Sequence, residues 1–215
     1  MLIYVSAKSQ KWQPGSFTDI KGNKVSGLVR ANPSGKGPIK DEGFIEFRDD
    51  TKTNPYKLSA SDLKSFTVGQ DSFVVAHAPH NQNWSKKELD FVKVALDEEL
   101  KLYVANVGTD GGGSGIGVSP QFGGGIGTGG YSGVGGGLAI NLGGGGKGKI
   151  KTTYYYGTNT AEMEQLTPIN FNDIMSEVMG DEQEVVDKIR ANQFNLNNMD
   201  KLIAYFKQVK AAHTK

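Results

Sequence analysis

Two hydrophobic rhythms divide this chain. Between residues 12 and 106 apolar and polar positions alternate in short runs broken by turn residues, the rhythm of consecutive β-strands. Phe17–Ile20, Lys21-Gly22-Asn23-Lys24 and Val25–Val29 read as strand, turn, strand, with Gly22 and Asn23 suited to the positive φ of a tight turn. Asn32–Pro38 is a loop by its punctuation, and Phe44-Ile45-Glu46-Phe47 and Tyr56-Lys57-Leu58 are short strands. Leu63–Val68 and Ser72–Ala76 flank the turn Gly69-Gln70-Asp71. Asp90–Leu96 and Leu100–Ala105 flank Asp97-Glu98-Glu99 and form the clearest hairpin. Lys93 and Lys101 each stand between two apolar residues and face water if one sheet face is solvated. Ile150–Tyr156 is a strand by β-propensity and is expected to pair with Leu100–Ala105.

From Asn170 the period lengthens from two to about 3.6 residues, which predicts helices. Phe171, Ile174, Met175, Val178 and Met179 make one apolar face, with Asn170 as N-cap and Gly180 as the stop. Asp181 and Glu184 form a capping-box-like pair opening a second helix with Val185, Val186 and Ile189 inward. Met199, Leu202, Ile203, Phe206 and Val209 form the stripe of a third. Three short helices bury little alone, so their apolar faces are expected to pack on one another and on the sheet. The predicted fold class is α+β: an antiparallel β-meander sheet, then a small C-terminal bundle of three short helices, with a Gly-rich hairpin loop insertion. Residues 1–11 read as a signal-peptide remnant or a first strand, 12–158 as the β domain, and 159–215 as the helical segment packed on the sheet.

Glycine content changes the picture at one place. About 21 of the 30 glycines fall between Gly108 and Gly148, and the tract 108–149 is read as a flexible hairpin loop. A glycine-rich hairpin extension with Leu138–Leu142 as a short strand is a second reading. A third is self-association, or a membrane-facing element, through Ile116, Val118, Phe122, Ile126, Tyr131 and Val134. Gly125–Gly130 fits G-x-G-x-x-G, and Gly143–Lys149 fits G-x-x-x-x-G-K. A phosphate-binding loop must open a helix, and the second pattern needs Ser or Thr where Ile150 stands. Neither condition is met.

The net charge of +1, from 24 basic and 23 acidic side chains, argues against a general nucleic-acid binder. The absence of cysteine excludes thiol catalysis, zinc–thiolate sites and disulfides. No run approaches the roughly 18–20 apolar residues of a transmembrane helix. The start, Met1–Ala7, has the short apolar run and small residues of a signal-peptide tail, without a basic n-region or a full apolar stretch. A start assigned too far downstream would account for that.

Candidate chemistry is sparse. His77 and His80 could ligate a metal, but nothing nearby completes a ligand set, and they read as exposed loop histidines. Asp49-Asp50 and Glu98-Glu99 sit in turn-like sequence, where adjacent carboxylates diverge and do not converge across a cleft. No catalytic, cofactor-binding or metal-binding residue is assigned, and no cofactor is expected. The aromatics Trp12, Trp84, Tyr103 and Tyr154–Tyr156 could line a groove, although core packing is the commoner use. Tyr154 and Tyr156 share a strand face and Tyr155 takes the other. Trp84, Tyr154 and Tyr156 are the candidate contacts to a ligand or partner.

Several segments carry a resemblance. Trp12-x-x-Gly15 leads into Asp19-Ile20-Lys21-Gly22. Tyr56-x-Leu58-x-x-x-Asp62-Leu63-Lys64-Ser65-Phe66 precedes Asp71-Ser72-Phe73. With Phe91–Val94, Leu100–Tyr103, Tyr154–Tyr156 and the helical tail, the chain resembles a group of uncharacterised exported bacterial envelope proteins over most of residues 12–206. The resemblance implies export to the periplasm or cell envelope and supplies no catalytic residues, and the glycine tract stands as an insertion against it. The expectation is a non-enzymatic binding or structural role in the envelope, with an unknown protein or envelope component as partner. A small-ligand or glycan-binding module using surface aromatics is the alternative. A nucleotide-dependent cytoplasmic enzyme using the glycine tract ranks third.

Overall fold

The computed structural model describes residues 12–31, 33–77, 79, 87–108 and 150–213. The possible signal remnant 1–11, His80, Trp84 and the tract 109–149 lie outside the described residues, and so do the expectations placed on them. The strands are β1 (Gln13–Asp19), β2 (Lys24–Arg30), β3 (Phe44–Arg48), β4 (Tyr56–Ser59), β5 (Leu63–Val68), β6 (Asp71–His77), β7 (Leu89–Leu96), β8 (Lys101–Gly108), β9 (Ile150–Gly157) and β10 (Glu164–Gln165). The helices are α1 (Phe171–Val178), α2 (Gln183–Arg190) and α3 (Met199–His213). The strands make a single 10-stranded sheet ordered β10-β9-β8-β7-β6-β5-β1-β2-β3-β4, with every ladder antiparallel.

Short turns set the meander locally. Gly22 has φ +92° and Gly69 φ +58°, values that favour glycine, at the β1–β2 and β5–β6 turns. The β1–β5 ladder is not a local hairpin. It joins strands some 50 residues apart, pairing Phe17 with Phe66. Gly15 permits it, because a Cβ there would lie 2.1 Å from the Thr67 carbonyl oxygen.

One cross-strand row shows how the sheet is used. It runs Phe17–Phe66–Phe73–Lys93–Val104–Tyr154 across six strands. Its first three members belong to an aromatic cluster with Phe47, Phe91, Val29, Ile45 and Leu63. Phe66 stacks on Phe73 at 4.7 Å between centroids and meets Phe91 edge-on at 4.9 Å. The strands curl around this cluster. Before β3, Gly43 N–H donates to the Leu89 carbonyl and Glu88 N–H to the Asp41 carbonyl, each at 2.8 Å, which ties β3 to β7. A Cβ on Gly43 would sit 2.1 Å from Asp90 Oδ1, so this contact requires glycine. On the outer face the guanidinium carbons of Arg30 and Arg48 lie 4.9 and 4.4 Å from the Trp12 ring centroid.

Beyond Lys93 the same face is covered by the helices. Tyr154, Leu96 and Leu102 pack with Met175, Val178, Met179, Val185, Ile189, Met199, Leu202, Ile203 and Phe206. Each helix contributes its predicted apolar stripe. The opposite face of β6–β9 carries a third cluster of Ala76, Val92, Tyr103, Ala105, Tyr155 and Met163.

Several expectations are corrected in detail. Val92 and Val94 pack in that third cluster, so Lys93 does not face open water. It lies on the helix-bearing face with its side chain 17% exposed and pairs with Asp71. Asn170 takes the N-cap position of α1, but its Oδ1 accepts from Thr167 N–H and Oγ1. Glu182, and not Asp181, precedes α2 without a side-chain cap, and Glu184 instead accepts from the Tyr205 hydroxyl. The sheet also continues past residue 158, because β10 pairs with Tyr155 and Tyr156.

Candidate functional site

The apolar row breaks at Lys93, between the curled half of the sheet and the helix-covered half. A β-bulge lies next to this seam. The β7–β8 register shifts between Val94 and Leu96, so Ala95 and Leu96 are both buried against the helices. On the other side of β7 the ladder with β6 ends at Ser72↔Val94, while β7 runs on to Leu96. The β5–β6 turn and the second half of α3 flank the space left over.

That space is an open groove of about 700 Å³. Val94, Ala95, Leu96, Phe206 and Ala211 supply apolar surface; Gln70 and Ser72 supply polar side chains; Asp97, Glu98, Lys207 and Lys210 bring charge. Most of that charge is cancelled locally. Lys93 pairs with Asp71 at 2.5 Å, Lys210 with Glu98 at 2.5 Å, and Lys101 with Asp97. The Lys210 amine rises above its ordinary pKa because Glu98 accepts from it. Lys207 has no carboxylate within ion-pair distance among the described residues. Its amine is lowered below its ordinary 10.5, first by lost hydration and then by the positive charge of Lys93, with Asp71 opposing.

The residues singled out from the sequence are not gathered here. Tyr154 is buried between sheet and helices, 7% exposed, where burial and then Asp200 push its hydroxyl up to about 12. Tyr156 lies on the same face, half-buried; its hydroxyl donates to Glu164 Oε2 at 2.8 Å and accepts from Asn170 Nδ2. Tyr103 and Tyr155 face the other way, so the tyrosines do not converge on a common groove. His77 ends β6 with Nδ1 3.2 Å from the Glu88 carbonyl oxygen. Among the described residues no group of three or more potential ligands could hold a metal ion. Asp50 closes a turn by accepting from Lys52 and Thr53 N–H, which lower its pKa, and Glu98 lies in the groove wall.

Lys207 was not singled out by sequence, although a trace of it is visible. Lys207 and Lys210 follow Ile203 at helical spacing, along the edge of the apolar stripe of α3. The groove itself depends on the bulge and on the packing of α3 against β7, which local periodicity does not encode. No helix among the described residues is long and apolar enough to cross a membrane. In comparisons with known proteins, the chain matches no family model, no curated protein and no solved structure.

Proposed function

We propose that this chain is a non-enzymatic binding protein of the bacterial cell envelope, exported to the periplasm or held at the envelope, and that it meets its partner at the seam groove. The observation that carries the binding role is the groove: an apolar floor beside the ammonium of Lys207, which makes no ion pair among the described residues. Apolar surface with a few placed polar groups is the usual make-up of a binding cleft. The envelope assignment rests on the resemblance of the strand and tail segments to exported bacterial proteins.

A photo-cross-linking residue at Ala211, in the groove, and another at the exposed Lys24, at the start of β2, test the site in native cells. The expected result is a discrete cross-linked product from position 211 only, recovered in the periplasmic or envelope fraction. Equal labelling from both positions would remove the groove from the proposal. Recovery of the whole protein in the cytosol would remove the envelope.

A further inference from the structure

We infer that Trp12, Arg30 and Arg48, on the outer face of β1–β3, form an oxyanion site whose ligand is a phosphate group. This site is separate from the seam groove, which lies on the helix-bearing face of β7. The ladder builds it. Leu28↔Arg48 and Arg30↔Glu46 stand two rungs apart in the β2–β3 pairing. Arg30, Glu46 and Arg48 therefore share one face, and the buried Val29 and Phe47 take the other. Trp12 stands one position before the first β1–β2 rung, Gln13↔Val29, which brings it beside Arg30. Its ring lies within 4.9 Å of the Arg30 guanidinium carbon and 4.4 Å of that of Arg48, so both arginines serve one place.

What the cluster lacks is acceptors. Arg30 gives one Nη2–H to Glu46 Oε2. Arg48 makes no ion pair among the described residues, and its hydrogen bond from Nη1 to the Thr51 carbonyl is long, at 3.5 Å. The Nε of each arginine is buried and bonds to nothing. Folded proteins rarely leave such donors unmet, and a bound ion is one of the usual partners. Net charge does not select the ligand, because Glu46 is on the ladder and Asp49 and Asp50 are in the turn that follows. Asp50 turns its Oδ1 to the N–H groups of Lys52 and Thr53. The unmet donors make the selection. A carboxylate is served by one guanidinium fork, whereas a tetrahedral phosphate has oxygens for two forks at once. Trp12, Arg30 and Arg48 are all partly exposed, so the site opens to solvent. A phosphate entering at the Nη groups reaches the Nε–H donors once the indole ring gives way.

The test titrates the full chain with inorganic phosphate, and with acetate at matched ionic strength. The sequence holds three arginines, so the Nε–H resonances of Arg30 and Arg48 are read against Arg190 of α2 as an internal control. The expected result is saturable shifts at Arg30 and Arg48 with phosphate, none at Arg190, and no saturable response to acetate. Arg48→Lys keeps the charge and loses the fork, and should weaken binding about tenfold. Glu46→Gln removes a competing carboxylate beside Arg30 and should tighten binding about two- to fivefold. An unchanged backbone amide spectrum checks the fold of each variant. Unmoved Arg30 and Arg48 signals in phosphate would overturn the inference. So would acetate acting as phosphate does, or Arg48→Lys binding as tightly as the parent chain. With the phosphate response in hand, vesicles of phosphatidylcholine with and without phosphatidylglycerol separate two sources. Binding to the anionic vesicles that phosphate competes away supports a lipid headgroup as the ligand, and no vesicle binding supports free phosphate.

Discussion

The curled half of the sheet and the helix-covered half bury the same face with different materials. In the first, aromatic rings are locked by register: Phe17 meets Phe47 edge-on at 4.8 Å, and Phe66 lies between Phe73 and Phe91. Phe66 and Phe73 are ladder partners, and Phe17–Phe47 and Phe66–Phe91 meet across one intervening strand of the curled sheet. In the second half, Met175, Met179 and Met199 are almost completely buried among branched aliphatics on three helices. No ladder joins helix to sheet, and unbranched methionine fills the irregular space between them. The difference teaches that one sheet can hold a rigid core and a pliant one side by side, and that the groove opens where they meet.

That contrast can be broken most directly by mutation. Phe66→Ala should cost about 3–5 kcal/mol, because it removes the ring on which two others rest. Met175→Leu should cost less than about 1.5 kcal/mol, because the helix layer can adjust. Urea unfolding measures both, and a cost for Phe66→Ala no larger than that for Met175→Leu would show that the ring contacts do not hold the curled half.

A smaller effect comes from alkaline pH. Burial raises Tyr154 under the helices, and Tyr103 on the opposite face, to about 12 in the folded protein. The unfolded chain releases these protons near pH 10. Between those values the folded state holds protons that the unfolded state has lost, so stability falls as pH rises from about 10 to about 12. Tyr154→Phe should flatten part of that fall, seen as a smaller drop in urea midpoint between pH 9 and pH 11. An unchanged drop would mean that Tyr154 ionises without unfolding the helix layer.

The smallest expected change is at the sheet margin. Tyr156→Phe removes the hydroxyl that links β9 to Glu164 of β10 and to Asn170 ahead of α1. A loss of about 0.5–1.5 kcal/mol is expected from thermal melts. A larger loss would make β10 a structural brace between the two regions.

Periodicity alone located most strands and all three helical stripes, because each of those signals is local: alternation at Phe44–Phe47, the Gly22 and Gly69 turns, and the spacing of Met199, Leu202 and Phe206. The pairing of β8 with β9 was also legible, since an up-and-down order places Ile150–Tyr156 beside Leu100–Ala105. The order of the sheet was not. Nothing near Phe17 announces Phe66 as its neighbour, and Gly43 shows its role only once Asp90 is beside it. The site was less legible still. Tyrosine sequence suggested a contact surface, but alternation sends Tyr154 under the helices and Tyr155 to the other side. The bulge at Ala95 breaks the very alternation used to read β7, and Lys207 becomes distinctive only when its neighbours are seen to be paired.

Gly108 and Ile150 are partners in the last rung of the β8–β9 ladder. Chain leaves the sheet and re-enters it at a separation of about 5 Å, whatever its length in between. Closing a longer loop costs only about 0.6 kcal/mol per doubling. The rung is therefore a natural splice point. A foreign domain whose own ends lie close together can be carried there while the remaining ladder partners keep their register.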